Sequence, residues 1–152
     1  MAEVLFYHLT SSPLERNLPG LLEKCLERNL RVVVRMGRDD RVEPIDTLLW
    51  SYRADAFLPH GTNAMGHAAL QPIYLTSGPE NPNRADVLML VEGARVDAEE
   101  AGKFTRTCLM FDGNDPETLN AARADWKAVV AAKIPAKYWA QDGGRWVQKL
   151  ST

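Results

Sequence analysis

Two loops of this 152-residue chain determine whether it could bind a nucleotide phosphate. The turn after the first predicted strand, HLTSSPLERN, contains no glycine, so its backbone could not approach a pyrophosphate closely. The loop from Gly61 to Ala68 has the glycine spacing of a P-loop, but His67 and Ala68 stand where Lys and Ser or Thr are needed. The sequence favours neither site, and a nucleotide-using α/β enzyme with a degenerate phosphate loop is kept as the alternative interpretation.

The residues that could ligate a metal or act as nucleophiles are few and scattered. His60 and His67 are seven positions apart, without a Cys or acidic residue at a recognised zinc spacing beside them. Cys25 and Cys108 are isolated in apolar segments without an adjacent base, and no serine lies in a G-x-S-x-G elbow. We therefore expect no metal site, no cofactor and no catalytic residue, which favours a binding protein over an enzyme.

The composition is that of a globular protein. Hydrophobic residues make up 45% of the chain and charged residues 25%, and the length predicts one domain over residues 1–152. No apolar run approaches the roughly 18 residues of a membrane span, and the first residues lack the pattern of a signal peptide. The expected location is the cytoplasm, without membrane association.

Charge is distributed unevenly along the sequence. The formal net charge is -2, which argues against a protein that mainly coats nucleic acid. Residues 120–152, however, contain six cations and two carboxylates, with three of the four tryptophans. A basic, aromatic-rich C-terminal segment is suited to an acidic partner.

Strand-like and helix-like patterns alternate along the chain. Strands are predicted over 3–9, 31–36, 56–60, 73–76, 86–91, 107–111 and 145–150. Helices are predicted from Pro13 to about Leu26, from Arg41 to Tyr52, and from a cap at 114–117 to about Lys133. This alternation predicts a mostly parallel α/β sheet flanked by helices on both faces, Rossmann-like but without the dinucleotide fingerprint.

Local signals predict where these helices begin and bend. Ser12 with Glu15, and Asp40 with Glu43, have the spacing of capping boxes. The Pro19-Gly20 step predicts a kink or a restart in the first helix.

Several segments together resemble the chi subunit of bacterial DNA polymerase III, over nearly the whole chain. The segments are LFYHL, LLEKCLERNLRVVVRM, DTLLWSYRADAFLPHG, NRADVLMLVEG, AARADWKA and KYWAQDGGRWVQKL. The most specific of them is the helix ending in Trp50, followed by FLPHG at 57–61. The sequence differs from the usual family pattern in the VEG at 91–93 and in the Pro19-Gly20 step.

The resemblance implies a non-catalytic subunit of the clamp-loader assembly. Such a subunit binds the psi subunit on one side and the acidic, Phe-terminated tail of single-stranded-DNA-binding protein on the other, so that it contacts DNA only indirectly. A third interpretation is direct binding of single-stranded DNA through the basic C-terminal segment, which would depend strongly on salt.

A tail site is expected on the third predicted helix. Arg123 and Lys127 are four residues apart and therefore share one face, with Trp126 beside them. The resemblance assigns both cations to the tail carboxylates, whereas helix statistics alone favour a core Trp with solvated cations beside it. The expected tail-binding residues are Arg123, Trp126, Lys127 and Tyr138, with Trp139 and Trp146 as further candidates for the lining of the same pocket.

A second surface is expected around the Trp-FLPHG segment. A short strand that contains proline belongs at the edge or end of a sheet, where exposed apolar residues attract a partner. The alternative is that Phe57 or Leu58 is an ordinary core residue. The resemblance assigns the psi-binding role to Trp50, Phe57, Leu58, Pro59 and His60.

Overall fold

The elements of the fold alternate as β-strands and α-helices along the chain. The structure, a computed structural model, describes residues 2–10, 12–51, 59–62, 68–142 and 145–151. The strands are β1 Glu3–Leu9, β2 Val32–Met36, β3 His60–Thr62, β4 Ile73–Thr76, β5 Val87–Val91, β6 Arg106–Asp112, β7 Ala136–Asp142 and β8 Arg145–Ser151. The helices are α1 Leu14–Glu27, α2 Val42–Ser51, α3 Ala98–Ala101 and α4 Pro116–Ala131.

The strands form one sheet in the order β3-β4-β2-β5-β6-β1-β7-β8. Neighbouring strands are parallel from β3 to β7, and β8 pairs antiparallel with β7. The predicted fold class, a mostly parallel α/β sheet with helices on both faces, is confirmed. Of the helices in the described part of the chain, none combines the length and apolar composition needed to cross a bilayer.

The sheet separates two apolar clusters. Leu5 and Tyr7 of β1 face the cluster beneath α1 and α2, whereas Phe6 faces the cluster beneath α3 and α4. In β2 the consecutive valines Val32–Val34 are all fully buried. A strand buried on both faces needs apolar side chains in both directions, which explains the unbroken β-branched run that the sequence shows there.

Helix α1 differs from its prediction at the Pro19-Gly20 step and at the Ser12 cap. It is continuous from Leu14 to Glu27, so the predicted restart at Pro19 is wrong. Pro19 is buried together with Leu18 and Leu22, and this packing offsets the backbone hydrogen bond that proline cannot make. Ser12 does not cap the helix, because its hydroxyl instead accepts hydrogen bonds from the amides of Asn17 and Gln141.

The other two helix starts have different outcomes. Asp40 lies within a short 3-10 turn that leads into α2, and its carboxylate pairs with Arg38, so it is not the predicted cap. At α4, in contrast, the Asp115 carboxylate accepts a hydrogen bond from the Glu117 amide, with Pro116 in the first turn, as the sequence predicts.

Strand β7 is the main element that the sequence patterns do not predict. It pairs with β1 so that Tyr138 lies beside Phe6, and it leads into β8, which confirms the last predicted strand. The short helix α3 was also missed. The predicted strand at 56–60 lies mostly outside the described residues. Strand β3 begins at its last residue, His60.

Candidate functional site

Helix α4 presents two cations to solvent. Its buried positions include Asp125 and Val129, which direct the opposite side of the helix outward. Arg123 and Lys127 lie on that outer side, one turn apart, and both are exposed. Within the described part of the chain, neither cation pairs with a carboxylate. Both charges are therefore available to a ligand.

Trp126, between these cations in sequence, is partly buried against the sheet. Its ring meets Phe6 edge-on at a centroid distance of 5.3 Å and Tyr138 at 5.9 Å. Phe6 and Tyr138 stack at 6.2 Å with an interplanar angle of 16°. Trp126 thus packs against the core and is also partly exposed next to Arg123. The interpretation as a core residue and the interpretation as a binding residue each describe part of this side chain.

His8 joins this group, although no sequence motif indicates it. Its Nδ1 lies 2.7 Å from the Tyr138 hydroxyl, and its ring centroid lies 5.2 Å from that of Phe111. The imidazole packs so closely over Gly113 that a Cβ there would overlap the ring. The alternation of β1, which places His8 on the same face as Phe6, is the signal that could have found it.

The charges around His8 and Tyr138 are coupled to Arg123. Burial lowers the pKa of His8, and the nearby Arg123 guanidinium lowers it further, while Asp112 opposes the shift. Burial raises the pKa of Tyr138, and Arg123 opposes that change. Because both shifts favour the neutral side chains near pH 7, the positive charge of this region comes from Arg123 and Lys127.

Apolar side chains outside the predicted set extend the region. Val130 follows Trp126 by one turn of α4 and is 40% exposed. On β8, Leu150 lies directly opposite Tyr138 and is 51% exposed. We refer to the whole set as the α4 surface, which consists of His8, Arg123, Trp126, Lys127, Val130, Tyr138 and Leu150.

The two other C-terminal tryptophans lie on the opposite face of the sheet. Successive residues of a strand face opposite sides, so Trp139 faces away from Tyr138 and lies beside Tyr7 in the register. Trp146 packs edge-on against Tyr7 at a centroid distance of 5.3 Å. The expectation that these tryptophans share a pocket with Tyr138 is therefore wrong.

The second predicted surface lies at the other edge of the sheet. Trp50 lies in the last turn of α2 and is 49% exposed, and its ring centroid lies 4.4 Å from that of His60. His60 begins the edge strand β3, but its side chain is buried, with Nε2 3.0 Å from Asp46 Oδ1. Pro59 is partly buried. The predicted residues Phe57 and Leu58 lie outside the described residues.

The two surfaces are well separated. Six strand spacings lie between β3 and β7, which is about 29 Å at roughly 4.8 Å per strand. Two partners could therefore bind at the same time without touching each other.

The cleft at the carboxyl ends of β1, β5 and β6 is where an α/β sheet commonly binds a nucleotide. It has a volume of about 750 Å³, and Arg38 is the one cation among the described residues that line it. The Asp115 side chain already accepts a hydrogen bond from the Glu117 amide at the start of α4. The carboxylates facing this cleft, which would repel a phosphate, are Glu15, Glu92, Asp112, Asp115 and Glu117.

The two cysteines, both among the described residues, lack the environment of a reactive thiol. Cys25 and Cys108 are both buried, and burial raises the pKa of both thiols, to about 12 for Cys108. Such thiols are protonated at neutral pH and therefore weak nucleophiles. No group of three or more potential metal ligands occurs among the residues that the structure describes.

The fold and the α4 surface define a Rossmann-like α/β protein whose basic, aromatic surface lies on a helix at one end of the sheet. The family model for the DNA polymerase III chi subunit, HolC, matches residues 1–137, and the chain belongs to this family. Arg123, Trp126, Lys127 and Trp50 lie within the matched range, and Tyr138 is the first residue beyond it.

A similar curated protein is the probable DNA polymerase III subunit chi of Rickettsia prowazekii (strain Madrid E). It is 32% identical over 91 residues, which cover 60% of this chain. The matched stretch spans 55% of the length of the Rickettsia protein.

Proposed function

We propose that this protein is a non-catalytic accessory subunit of DNA polymerase III that links the psi subunit to the acidic C-terminal tail of single-stranded-DNA-binding protein. The observation that carries the proposal is a pair of exposed cations, Arg123 and Lys127, neither of which pairs with a described carboxylate, beside the partly exposed ring of Trp126. Membership in the chi subunit family supports the assignment to this holoenzyme.

The α4 surface suits an acidic peptide that ends in phenylalanine. The Arg123 guanidinium can donate two parallel hydrogen bonds to one carboxylate, and Lys127 adds a second charge one turn away. The terminal ring would pack against Trp126 and the exposed Val130, where burial of apolar area adds affinity that salt does not screen.

This surface is largely formed before the peptide arrives. Trp126 is held by Phe6 and Tyr138, and the Tyr138 hydroxyl is held by His8. Side chains that are already fixed lose little conformational entropy on binding, so even a short peptide could bind measurably.

The psi subunit would bind at the opposite edge of the sheet, around Trp50. A half-exposed tryptophan is a typical anchor of a protein interface. Because His60 is buried beneath Trp50, its part in this site would be to hold the indole in place rather than to contact psi.

Calorimetry with an acidic peptide ending in Phe, compared with the same peptide without that Phe, tests the tail site. Arg123→Glu should abolish binding of both peptides by replacing attraction with repulsion, with little change in Tm. Arg16→Glu, at an exposed position on the opposite face, changes the net charge equally and should bind normally. The peptide without Phe should bind the wild type more weakly at every salt concentration.

Two results would overturn the proposal. Binding by the Arg123→Glu protein as tight as that by the wild type would exclude the α4 surface as the tail site. Thermal stabilisation by a nucleotide with Mg²⁺, but not by the peptide, would favour the alternative of a nucleotide-using enzyme.

A further inference from the structure

Three aromatic side chains lie together on the face of the sheet that α1 flanks, away from the α4 surface. Tyr7 of β1 is adjacent to Trp139 of β7 in the register, and Trp139 is diagonal to Trp146 across the β7–β8 pair. The rings of Tyr7 and Trp146 meet edge-on at 5.3 Å, and all three side chains are partly exposed. We call these three residues the aromatic triad.

On the β7–β8 hairpin, polar and cationic side chains lie beside the triad. Lys137 lies opposite Leu5 and Gln148 lies opposite Trp139, so both are on the triad face, and both are exposed. On the other face of the same hairpin, the neighbours of Tyr138 include the aliphatic Val147 and Leu150. The two faces therefore suit ligands of different chemistry.

Further cations border Tyr7 of the triad at the C-terminal end of α1, which Arg28 directly follows. Lys24 and Arg28 are one turn apart, and with Tyr7 they line a cleft of about 230 Å³. Arg106 also lines this cleft, where its charge is offset by Glu3 at 2.8 Å. Lys24, Arg28 and Lys137 form no ion pair with any carboxylate that the structure describes.

We propose that this face binds single-stranded nucleic acid, with phosphates at Lys24, Arg28 and Lys137 and with bases stacked on Trp139 and Trp146. Aromatic rings beside a cationic track are the usual means by which proteins bind single strands without reading their sequence. Every base has a face that can stack on an indole, and an amide such as that of Gln148 can bond a base edge. An acidic peptide is the less suitable ligand, because the described residues on the triad face of the hairpin include no exposed aliphatic side chain like those around Tyr138.

The proposal does not depend on the tail-binding function. The triad and the α4 surface lie on opposite faces of the sheet, so a variant in one leaves the other chemically intact. A protein with both sites would hold the tail peptide on one face and a short stretch of strand on the other.

Fluorescence anisotropy with labelled oligothymidine of about 20 nucleotides tests the inference, since single-strand sites span about 4–16 nucleotides. Lys137→Glu should weaken binding about tenfold and reduce the salt slope by about 1 or more, because at least one phosphate contact is lost. Arg123→Glu makes the same charge change on the other face and should weaken binding less than twofold.

Trp139→Leu should weaken binding, whereas Trp139→Phe, which keeps a ring, should largely preserve it. Thermal melts identify any variant that fails to fold, and the exposed Lys137→Glu remains decisive if the Trp139 variants are unstable.

Each alternative has its own outcome. No binding at about 50 mM salt, where phosphate contacts are strong, would exclude the site. Inorganic polyphosphate of equal charge that binds as tightly as the oligonucleotide would show that the bases contribute nothing, which would also overturn the inference. If Arg123→Glu weakens oligonucleotide binding as much as Lys137→Glu does, the strand does not bind specifically at the triad. Displacement of the oligonucleotide by the acidic peptide in the Arg123→Glu protein would identify the triad face as a peptide site.

Discussion

Arg95 and Asp125 form a two-pronged ion pair that ties the segment after β5 to α4. Arg95 Nε lies 3.0 Å from Asp125 Oδ2 and Nη2 lies 2.7 Å from Oδ1, while the Val96 amide donates to Oδ2 at 3.0 Å. The Asp125 side chain is 5% exposed. The carboxylate closest in sequence to Arg123 and Lys127 is thus neutralised and turned inward, so it does not cancel the positive field of the α4 surface.

Replacing Asp125 tests how much this ion pair contributes to stability. Asp125→Ala should lower the free energy of unfolding by about 2–3 kcal/mol, because the buried Val96 amide loses its acceptor and Arg95 loses its partner. Asp125→Asn retains an acceptor oxygen and should lower the free energy of unfolding by a smaller amount. Chemical denaturation provides the measurement, and equal losses in the two variants would show that the hydrogen bonds to this side chain do not matter.

His8 should make stability fall at mildly acidic pH. Its folded pKa is lowered from the ordinary value of 6.5, so the folded protein binds fewer protons there than the unfolded chain. The contribution to stability is therefore present above pH 6.5 and is lost as the pH falls through the folded pKa. Tm should decrease more between pH 7 and pH 5 in the wild type than in His8→Gln. A parallel decrease in both proteins would exclude His8 as the cause.

Arg123→Glu should raise the pKa of His8. The substitution removes one of the two causes that lower the pKa and puts a negative charge in its place. Titration of the imidazole by NMR in the wild type and the variant would measure the change. The control is Arg16→Glu, which lies on α1, and an equal shift in that variant would show that net charge rather than proximity is responsible.

Trp50→Ala should reduce psi binding at least tenfold, since an aromatic anchor at an interface commonly contributes about 2 kcal/mol or more. Tm should change little, because the side chain is half exposed. Val147→Ala, on the last strand at the far edge of the sheet, serves as the control. A large fall in Tm with loss of both psi and tail binding would instead make Trp50 a structural residue.

Gly37→Ala should be strongly destabilising. A Cβ at Gly37 would lie 2.5 Å from the carbonyl carbon of Gly93 and 2.6 Å from the amide nitrogen of Ala94. Both are backbone atoms that cannot move without displacing the turn after β5, so the cost should reach about 3 kcal/mol, the upper part of the range for overpacking. Gly20→Ala, where a Cβ would meet nothing within 4 Å, is the control, and similar stability of the two variants in urea would contradict the prediction.

The amino-acid sequence determines much of this fold through local patterns. Strand β1 and strand β4 were predicted with their observed bounds, and β2, β5 and β6 were predicted to within one residue at each end. The cap of α4 at Asp115 was also correct. Periodicity and capping depend on neighbours a few residues apart, so they are visible in a single sequence. The Ser12 cap failed because a residue distant in sequence, Gln141, competes for the same side chain.

The composition of the candidate site was decided by tertiary structure. The sequence places Arg123, Trp126 and Lys127 on one helix, because helical spacing is a local property. It does not specify that β7 pairs with β1, and that pairing alone brings Tyr138 to Trp126 and His8 while turning Trp139 to the opposite face. The side of a sheet on which a residue lies depends on strand register, since a shift of one residue reverses every side chain, and that register is fixed by contacts between residues about 130 positions apart.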